Sequence, residues 1–403
     1  MYETKNGVKR RSWRAKLAGL LLLAAVFLAG MWFGQGKFSL HRAHPVSSNL
    51  PAKLNYSQVD QLYKSLVDNY DGRLTESQLE DGLKHGLATA THDPYTVYFT
   101  PKEAKAFSDQ LNNSFSGIGA QLGQDKDGNL EVIAPIDGLP AAKAGLKAQD
   151  LIASINGEST TGMSVDDAVS KIRGPKGTTV KLQIVRNRAQ ALNFTITRQD
   201  ITLPSVKTKM LDGNIGYIQI TTFANDTVDL FKKAADDMAA KHVKGIVLDL
   251  RDDPGGLLDA AIKVSSYWVP EGKTLLQEKH GSEVTNTYFG QGGNELGNIP
   301  TVVLVNGGSA SASEITAGAL HDNKEAYVIG EKSYGKGVVQ QLINFGDGSQ
   351  LKVTVASWYR PNGQNINHKG ITPDKIVKIS DTDATAGNDT QLKAAQAYLA
   401  NKQ

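Results

Sequence analysis

The chain has 403 residues, 40% hydrophobic and 21% charged, with no cysteine; that length suits two or three domains, and disulfide and thiolate chemistry are excluded. Its formal charge of +3 misleads about partners, because residues 1–16 hold Lys5, Lys9, Arg10, Arg11, Arg14 and Lys16 against Glu3, leaving the rest of the chain at −2. With the basic cluster placed just ahead of an apolar stretch, there is no electrostatic reason to expect nucleic acid as a partner.

From Leu17 to Gly36 run twenty residues without a charge. At about 1.5 Å per residue a helix of that length spans roughly 30 Å, enough to cross a bilayer. A cleaved secretory signal needs small residues three and one before the cut, which only Gly34 and Gly36 weakly offer. Residues 1–36 are therefore read as a basic cytoplasmic stretch and an uncleaved transmembrane signal-anchor. This predicts a single-pass protein of the cell membrane with everything after Lys37 on the extracytoplasmic side. Residues 37–54, with His41, His44, Pro45, Ser47 and Ser48, read as a linker.

Residues 55–113 form a helical region. Val59, Leu62, Tyr63 and Leu66 recur at helical spacing, as do Leu79, Leu83 and Leu87 after a polar start at Thr75 and Glu76; HDPYTVY at 92–98 ends them. Residues 114–200 differ in texture, with a Gly-rich opening FSGIGA (115–120), strands LEVIAPI (130–136) and TVKLQIVRN (179–187), and a helix whose apolar face is Val165, Ala168, Val169 and Ile172. Joined by LPAAKAGLKAQDLIASINGEST (139–160), this β-rich segment resembles a PDZ domain. In such a domain the backbone N–H groups of Gly117, Ile118, Gly119 and Ala120 hold a terminal carboxylate, and Ile118, Val169 and Ile172 line a pocket for the last apolar side chain. Arg173, at the end of that helix, is a regulatory candidate that senses occupancy; as a bare residue it reads as a solvated turn.

From 201 to 403 strand and helix alternate: NIGYIQITTF, a helix near 226–242, GIVLDLRD, a helix from Gly256, TVVLVNG, a helix from about Ser311, then AYVIG. This is an α/β (α+β) core with buried strands. Two strand-to-helix turns attract attention. LRDDPGG (250–256) frees the backbone ahead of a helix start, where N–H groups favour developing negative charge, though Pro and Gly serve any tight turn. NGGSASASEI (306–315) places small residues where a substrate backbone needs room and a serine at a helix start; an N-cap serine in a Gly-Ser loop has the same look. The G-x-S-x-G elbow is absent.

A serine nucleophile needs a base. None of the eight histidines lies in a recognisable triad motif, and His321 reads as a helix-end residue. Without H-E-x-x-H or cysteine, no metal and no cofactor are expected. Lys336, between two glycines in EKSYGKGVVQQ (331–341), is the remaining candidate if burial lowers its pKa. Gly330, Gly335 and Lys336 also mimic the start of a phosphate-binding loop, but Gly337 replaces the required Ser or Thr and a strand-like VVQQLINF follows where a helix should open.

Taken in order, FSGIGA, LRDDPGG, NGGSASASEI and GEKSYGKGVVQ resemble the carboxyl-terminal processing peptidases, or tail-specific proteases, from about Tyr56 to Leu399. The resemblance implies Ser311 as nucleophile, Lys336 as general base, Gln340 as the group that positions Lys336, and an oxyanion hole of the Ala312 N–H with that of Gly255 or Gly256, Gly256 being favoured. It implies a serine endopeptidase acting on unfolded or tail-exposed proteins, with a possible homodimer through the 56–90 helices. One departure is Asp252-Asp253 where the family more often has Asn; the extra carboxylate is expected to point away from the oxyanion hole.

Overall fold

The computed structural model describes residues 50, 51 and 53–402. Among them no helix is long and apolar enough to cross a membrane; the anchor read over 1–36, and most of the linker, lie outside the described residues. Residues up to Leu74 form a unit of their own. Its helix α1 (Tyr56–Asn69), capped by the Asn55 side chain, has no buried residue.

The second unit, Thr75–Gln403, carries everything else. Helix α2 (Glu76–Thr89), strand β1 (Val97–Phe99) and helix α3 (Pro101–Leu111) open it. Both helices start in reciprocal caps, Thr75 with Gln78 and Thr100 with Glu103, which satisfy the otherwise unpaired first N–H groups.

A β-rich body follows: β2 (Ser114–Gly117), β3 (Ala120–Gln124), β4 (Leu130–Pro135), the short α4 (Pro140–Lys143), β5 (Leu151–Ile155), β6 (Glu158–Ser159), α5 (Val165–Ile172), β7 (Thr179–Arg186), β8 (Gln190–Thr197) and β9 (Gln199–Thr202). Strands β3-β4-β5-β7-β8 form one sheet, with β6 on β5, while β2 and β9 pair as its stem. Alternation in β7, with Val180, Leu182 and Ile184 inward, builds a separate core with Leu130, Val132, Ile152 and Ala168.

The core proper is a six-stranded sheet in the order β10 (Val206–Leu211), β11 (Ile215–Ile220), β12 (Gly245–Asp249), β15 (Thr301–Val305), β16 (Ala326–Gly330), β19 (Lys375–Ile376). From β11 onward every pairing is parallel. Both faces of such a sheet are covered, so its central strands are continuous apolar runs, and β12 and β15 are buried at every position. Helices α6 (Thr227–Ala240), α7 (Leu258–Ser265) and α8 (Ala312–Asp322) contribute to the larger core, around Phe231, Trp268 and Leu248. On the other face α10 (Thr390–Ala400), which follows the single-turn α9 (Asp381–Thr385), seats Ala395 and Leu399 against Val247, Val302 and Ile329. A second sheet joins β13 (Thr274–His280), β14 (Glu283–Phe289), β17 (Val338–Asn344) and β18 (Gln350–Tyr359) with β1.

The turn after β12 is anchored from below. Arg251 spans Asp249, at 2.6 Å, and Asp389 on the approach to α10, at 2.8 Å, while Tyr217 donates to Asp249 at 2.8 Å. Asp249 is 1% exposed. Removing only the cation leaves a buried carboxylate uncompensated, so Arg251→Leu is expected to lower unfolding stability by about 3–5 kcal/mol in a urea titration.

Candidate active site

Three loops leave the carboxyl ends of the adjacent parallel strands β12, β15 and β16, the position at which parallel sheets offer a crevice. They are 250–256, 306–311 and 331–337. Asn306 ties the first two: its Oδ1 accepts the Asp252 N–H at 2.9 Å and its Nδ2 donates to Asp252 Oδ1 at 2.8 Å. Ser309 donates to the Leu250 carbonyl at 2.7 Å, and Ser313 to that of Asp253 at 3.0 Å. Ser311, half-buried between them, is the one serine of the run whose hydroxyl is not committed to a backbone carbonyl. It sits immediately before α8 at φ 54° and ψ −112°, a conformation sparsely populated by side-chain-bearing residues and held only where surroundings enforce it.

Glu314 supplies that enforcement. It lies one turn into α8, is 0% exposed, and its carboxylate accepts four bonds. Oε2 takes the N–H of Ser311 and the N–H of Lys336, both at 2.9 Å. Oε1 takes the Ser333 hydroxyl at 2.5 Å and the Gly335 N–H at 2.8 Å. Burial pushes its pKa up from the ordinary value, and these four donors pull it back. The spacing Ser311-x-x-Glu314 is that of a capping box, a signal present in the sequence.

Lys336 is partly buried. Its Nζ donates to Gln340 Oε1 at 2.7 Å and lies 5.3 Å from the centre of the Tyr95 ring, while Gln340 Nε2 donates to the Tyr95 carbonyl. A register shift in β17 between Val339 and Gln340 aims that amide, a common use of a bulge beside a site. Desolvation, then the charge of Lys352, lowers the Lys336 pKa from 10.5 to about 8 against the opposing pull of Asp93 and Glu314. Asp93, Tyr95 and Lys352 had no signal in the sequence. No hydrogen bond joins Lys336 to Ser311 in this state. His321 is remote from this chemistry, bound to Asp322 and Asp374 at 3.0 Å each. Lys336 is followed by β17 and not by a helix, so no phosphate-binding loop exists there.

In the 250–256 turn the Gly255 N–H is taken by Asp253 Oδ1 at 2.8 Å. The N–H groups of Gly256 and Ala312 have no acceptor among the described residues. Gly255 and Gly256 adopt φ 94° and 146°. A Cβ on Gly255 would fall 2.9 Å from both Ser311 Cβ and Ala312 N, and one on Gly256 2.1 Å from the Phe223 carbonyl oxygen, so both positions need glycine. Of the two carboxylates here, Asp252 is engaged by Asn306, and the Asp253 side chain folds back into the turn and is wholly buried.

In the β-rich body, the Ile118 and Gly119 N–H groups also lack acceptors among the described residues, while Gly117 and Ala120 end the flanking strands. The apolar pocket needs correction. Ile118 and Ile172 are 3% and 5% exposed and packed into the domain's own core, leaving only Val169 half-buried beside them, and Leu139 covers Gly119. Arg173 stacks on Phe115, 4.6 Å from its ring centre, and makes no ion pair among the described residues.

Residues 214–377 match the model of Peptidase family S41 and residues 106–185 that of the PDZ domain. Carboxy-terminal processing protease CtpA of Bacillus subtilis is 39% identical over 355 residues, 85% of this chain and 76% of its own length. CtpB of the same organism is 38% identical over 342 residues, 83% and 70% of the two chains. A solved S41 protease structure from Bacteroides fragilis superposes with a TM-score of 0.56 at 18% identity, covering 88% of this chain and 100% of that one, a likeness of fold. The chain thus belongs to the carboxy-terminal processing proteases, serine peptidases of family S41 that carry a PDZ domain.

Proposed function

We propose that Ser311 and Lys336 form the catalytic pair of this peptidase, with Gln340 positioning the lysine and the Gly256 and Ala312 N–H groups binding the oxyanion. The observation that carries this is the single Glu314 carboxylate binding the backbone N–H of both residues. Lys336 Nζ turns from Gln340 to Ser311, since catalytic bonds commonly tighten only once substrate is bound. Neutral Nζ takes the hydroxyl proton as Oγ bonds to the peptide carbonyl carbon. The negative oxygen rests on the two free N–H groups, then the C–N bond breaks and the ammonium returns its proton to the leaving amine. Water, deprotonated by the same lysine, bonds to the acyl carbon, and the Oγ–C bond breaks as the ammonium returns the proton to Ser311 Oγ.

The free N–H groups of Ile118 and Gly119 support recognition of a terminal carboxylate of an unfolded or tail-exposed protein, followed by displacement of Leu139. Arg173, at the end of α5, fits a role in relaying occupancy. Two further readings rest on patterning. The basic start and apolar run of 1–36 favour an anchored protein with its catalytic part outside the cytoplasm. The exposed Leu62, Tyr63, Leu66 and Val67 of α1 favour a homodimer through that helix.

Cleavage of an unstructured protein such as a casein tests the assignment. Ser311→Ala and Lys336→Arg should each lose turnover on the order of 10⁴-fold or more, because a guanidinium stays protonated and cannot act as base. In the wild type, the acid limb of kcat/KM against pH should rise through about 8 as Lys336 loses its proton. Retained turnover in Lys336→Arg would reassign the base.

Glu314→Gln replaces an acceptor with a donor facing donors. It is expected to cost about 1–3 kcal/mol for each N–H left unpaired, with a fall in kcat and little change in KM. A peptide ending in an amide should be cut about tenfold more slowly than its acid at concentrations well below saturation, the loss of one charged hydrogen bond. Equal rates would remove the tail-recognition role.

A further inference from the structure

One carboxyl in the oxyanion turn has no part in these steps. Asp253 is 0% exposed; Oδ1 accepts the Gly255 N–H, and Oδ2 has no partner among the described residues. Its backbone is fixed as well, the carbonyl accepting from the Ala310 N–H and the Ser313 hydroxyl, both at 3.0 Å. Among the described residues no cation is directed at it. In its own turn Arg251 is directed to Asp249 and Asp389, and Asp252 to Asn306. From α8 come the neutral Ser313 and a Glu314 carboxylate fully engaged with the Ser333 hydroxyl and the backbone N–H groups of Ser311, Gly335 and Lys336; Lys336 is directed to Gln340. The loop before α6 contributes the neutral Thr222 and Phe223, which donate to the Gly255 carbonyl at 2.9 Å.

An ionised carboxylate with one oxygen lacking a hydrogen-bond partner is costly, whereas the carboxylic acid keeps its one acceptor bond and carries no charge. We propose that Asp253 works as a neutral acid, a positioning residue that occupies the Gly255 N–H and so leaves the Gly256 N–H for the oxyanion, and that its ionisation closes the site at alkaline pH. The inference rests on the oxyanion assignment above. Burial pushes its pKa up from 3.8 to about 8, with only Gly255 and Ser313 opposing. A second negative charge beside a developing oxyanion opposes the transition state, so kcat acquires a falling limb where Lys336 would otherwise only raise it. The same proton affects stability. Because the folded pKa lies above the unfolded one, the proton's contribution is full below 3.8 and is lost as pH rises through about 8.

Two measurements on the full chain test this. In a Ser311→Ala background, urea midpoints of Asp253→Asn and of the Asp253 protein should draw apart in favour of Asn from about pH 4 to about pH 8, then run parallel. In the active enzyme, the alkaline fall in kcat should be present with Asp253 and missing with Asp253→Asn. Asp253→Ala, which lacks the acceptor, should lower kcat about tenfold at every pH without raising KM. A midpoint difference that ignores pH, or an alkaline limb unchanged by Asp253→Asn, overturns the proposal. The first measurement needs no catalysis, so failure of the Ser311 and Lys336 assignment would be seen separately.

Discussion

The proposed pairing of Ser311 with Lys336 requires two loops from different strands to be held in register, and one carboxylate does it. Glu314 reaches the backbone of Ser311 on its own helix and of Gly335 and Lys336 on the loop after β16. Because it binds main chain, the lysine side chain is left free to move while its root is fixed. A carboxylate suits the task since every contact is a donor and only the ionised form can accept all four. The helix start adds to this, its N–H groups favouring negative charge near Glu314.

Around that tie, the parallel sheet determines which residues can meet. Adjacent strands β12, β15 and β16 release their chains at one edge, so the glycine turn, the serine and the lysine arrive together although far apart in sequence. The hydroxyls of Ser309 and Ser313 are each used to bind the neighbouring turn, which leaves Ser311 for the proposed role of nucleophile. The second sheet completes the site from the far side: β1 follows directly on Tyr95, and β18 carries Lys352.

Much of this was legible in the sequence where burial makes patterns simple. GIVLD and TVVLV are apolar throughout because both faces of a parallel strand are covered, and they were read as strands. Strands β13, β14 and β18 were not read. They are antiparallel and only partly covered, and charged residues such as Glu278 and Lys352 blur their alternation. Inside the β-rich body, 139–160 was read as a connection but holds β5, a central strand too short to announce itself. The helix expected from Gly256 begins at Leu258, because Gly256 is drawn into a bridge with Phe223. Ser311 and Lys336 stood in recognisable motifs, whereas Asp93, Tyr95 and Lys352 act through proximity that only the tertiary fold creates.

The charges at the site show how the fold lowers the pKa of a lysine that sits among carboxylates. Asp93 and Glu314 favour the ammonium and push the Lys336 pKa up. Burial and Lys352 act the other way, with burial the larger. Each carboxylate is also restrained at its source. Asp93 is engaged by the Thr96 hydroxyl at 2.7 Å and the Tyr95 N–H at 3.0 Å, and Glu314 by its four donors. Hydrogen bonds to an anion spread its charge over neighbouring dipoles, so a nearby amine feels less of it than separation alone implies. The same donors that give the loops their shape therefore also moderate the field at Lys336, the proposed base.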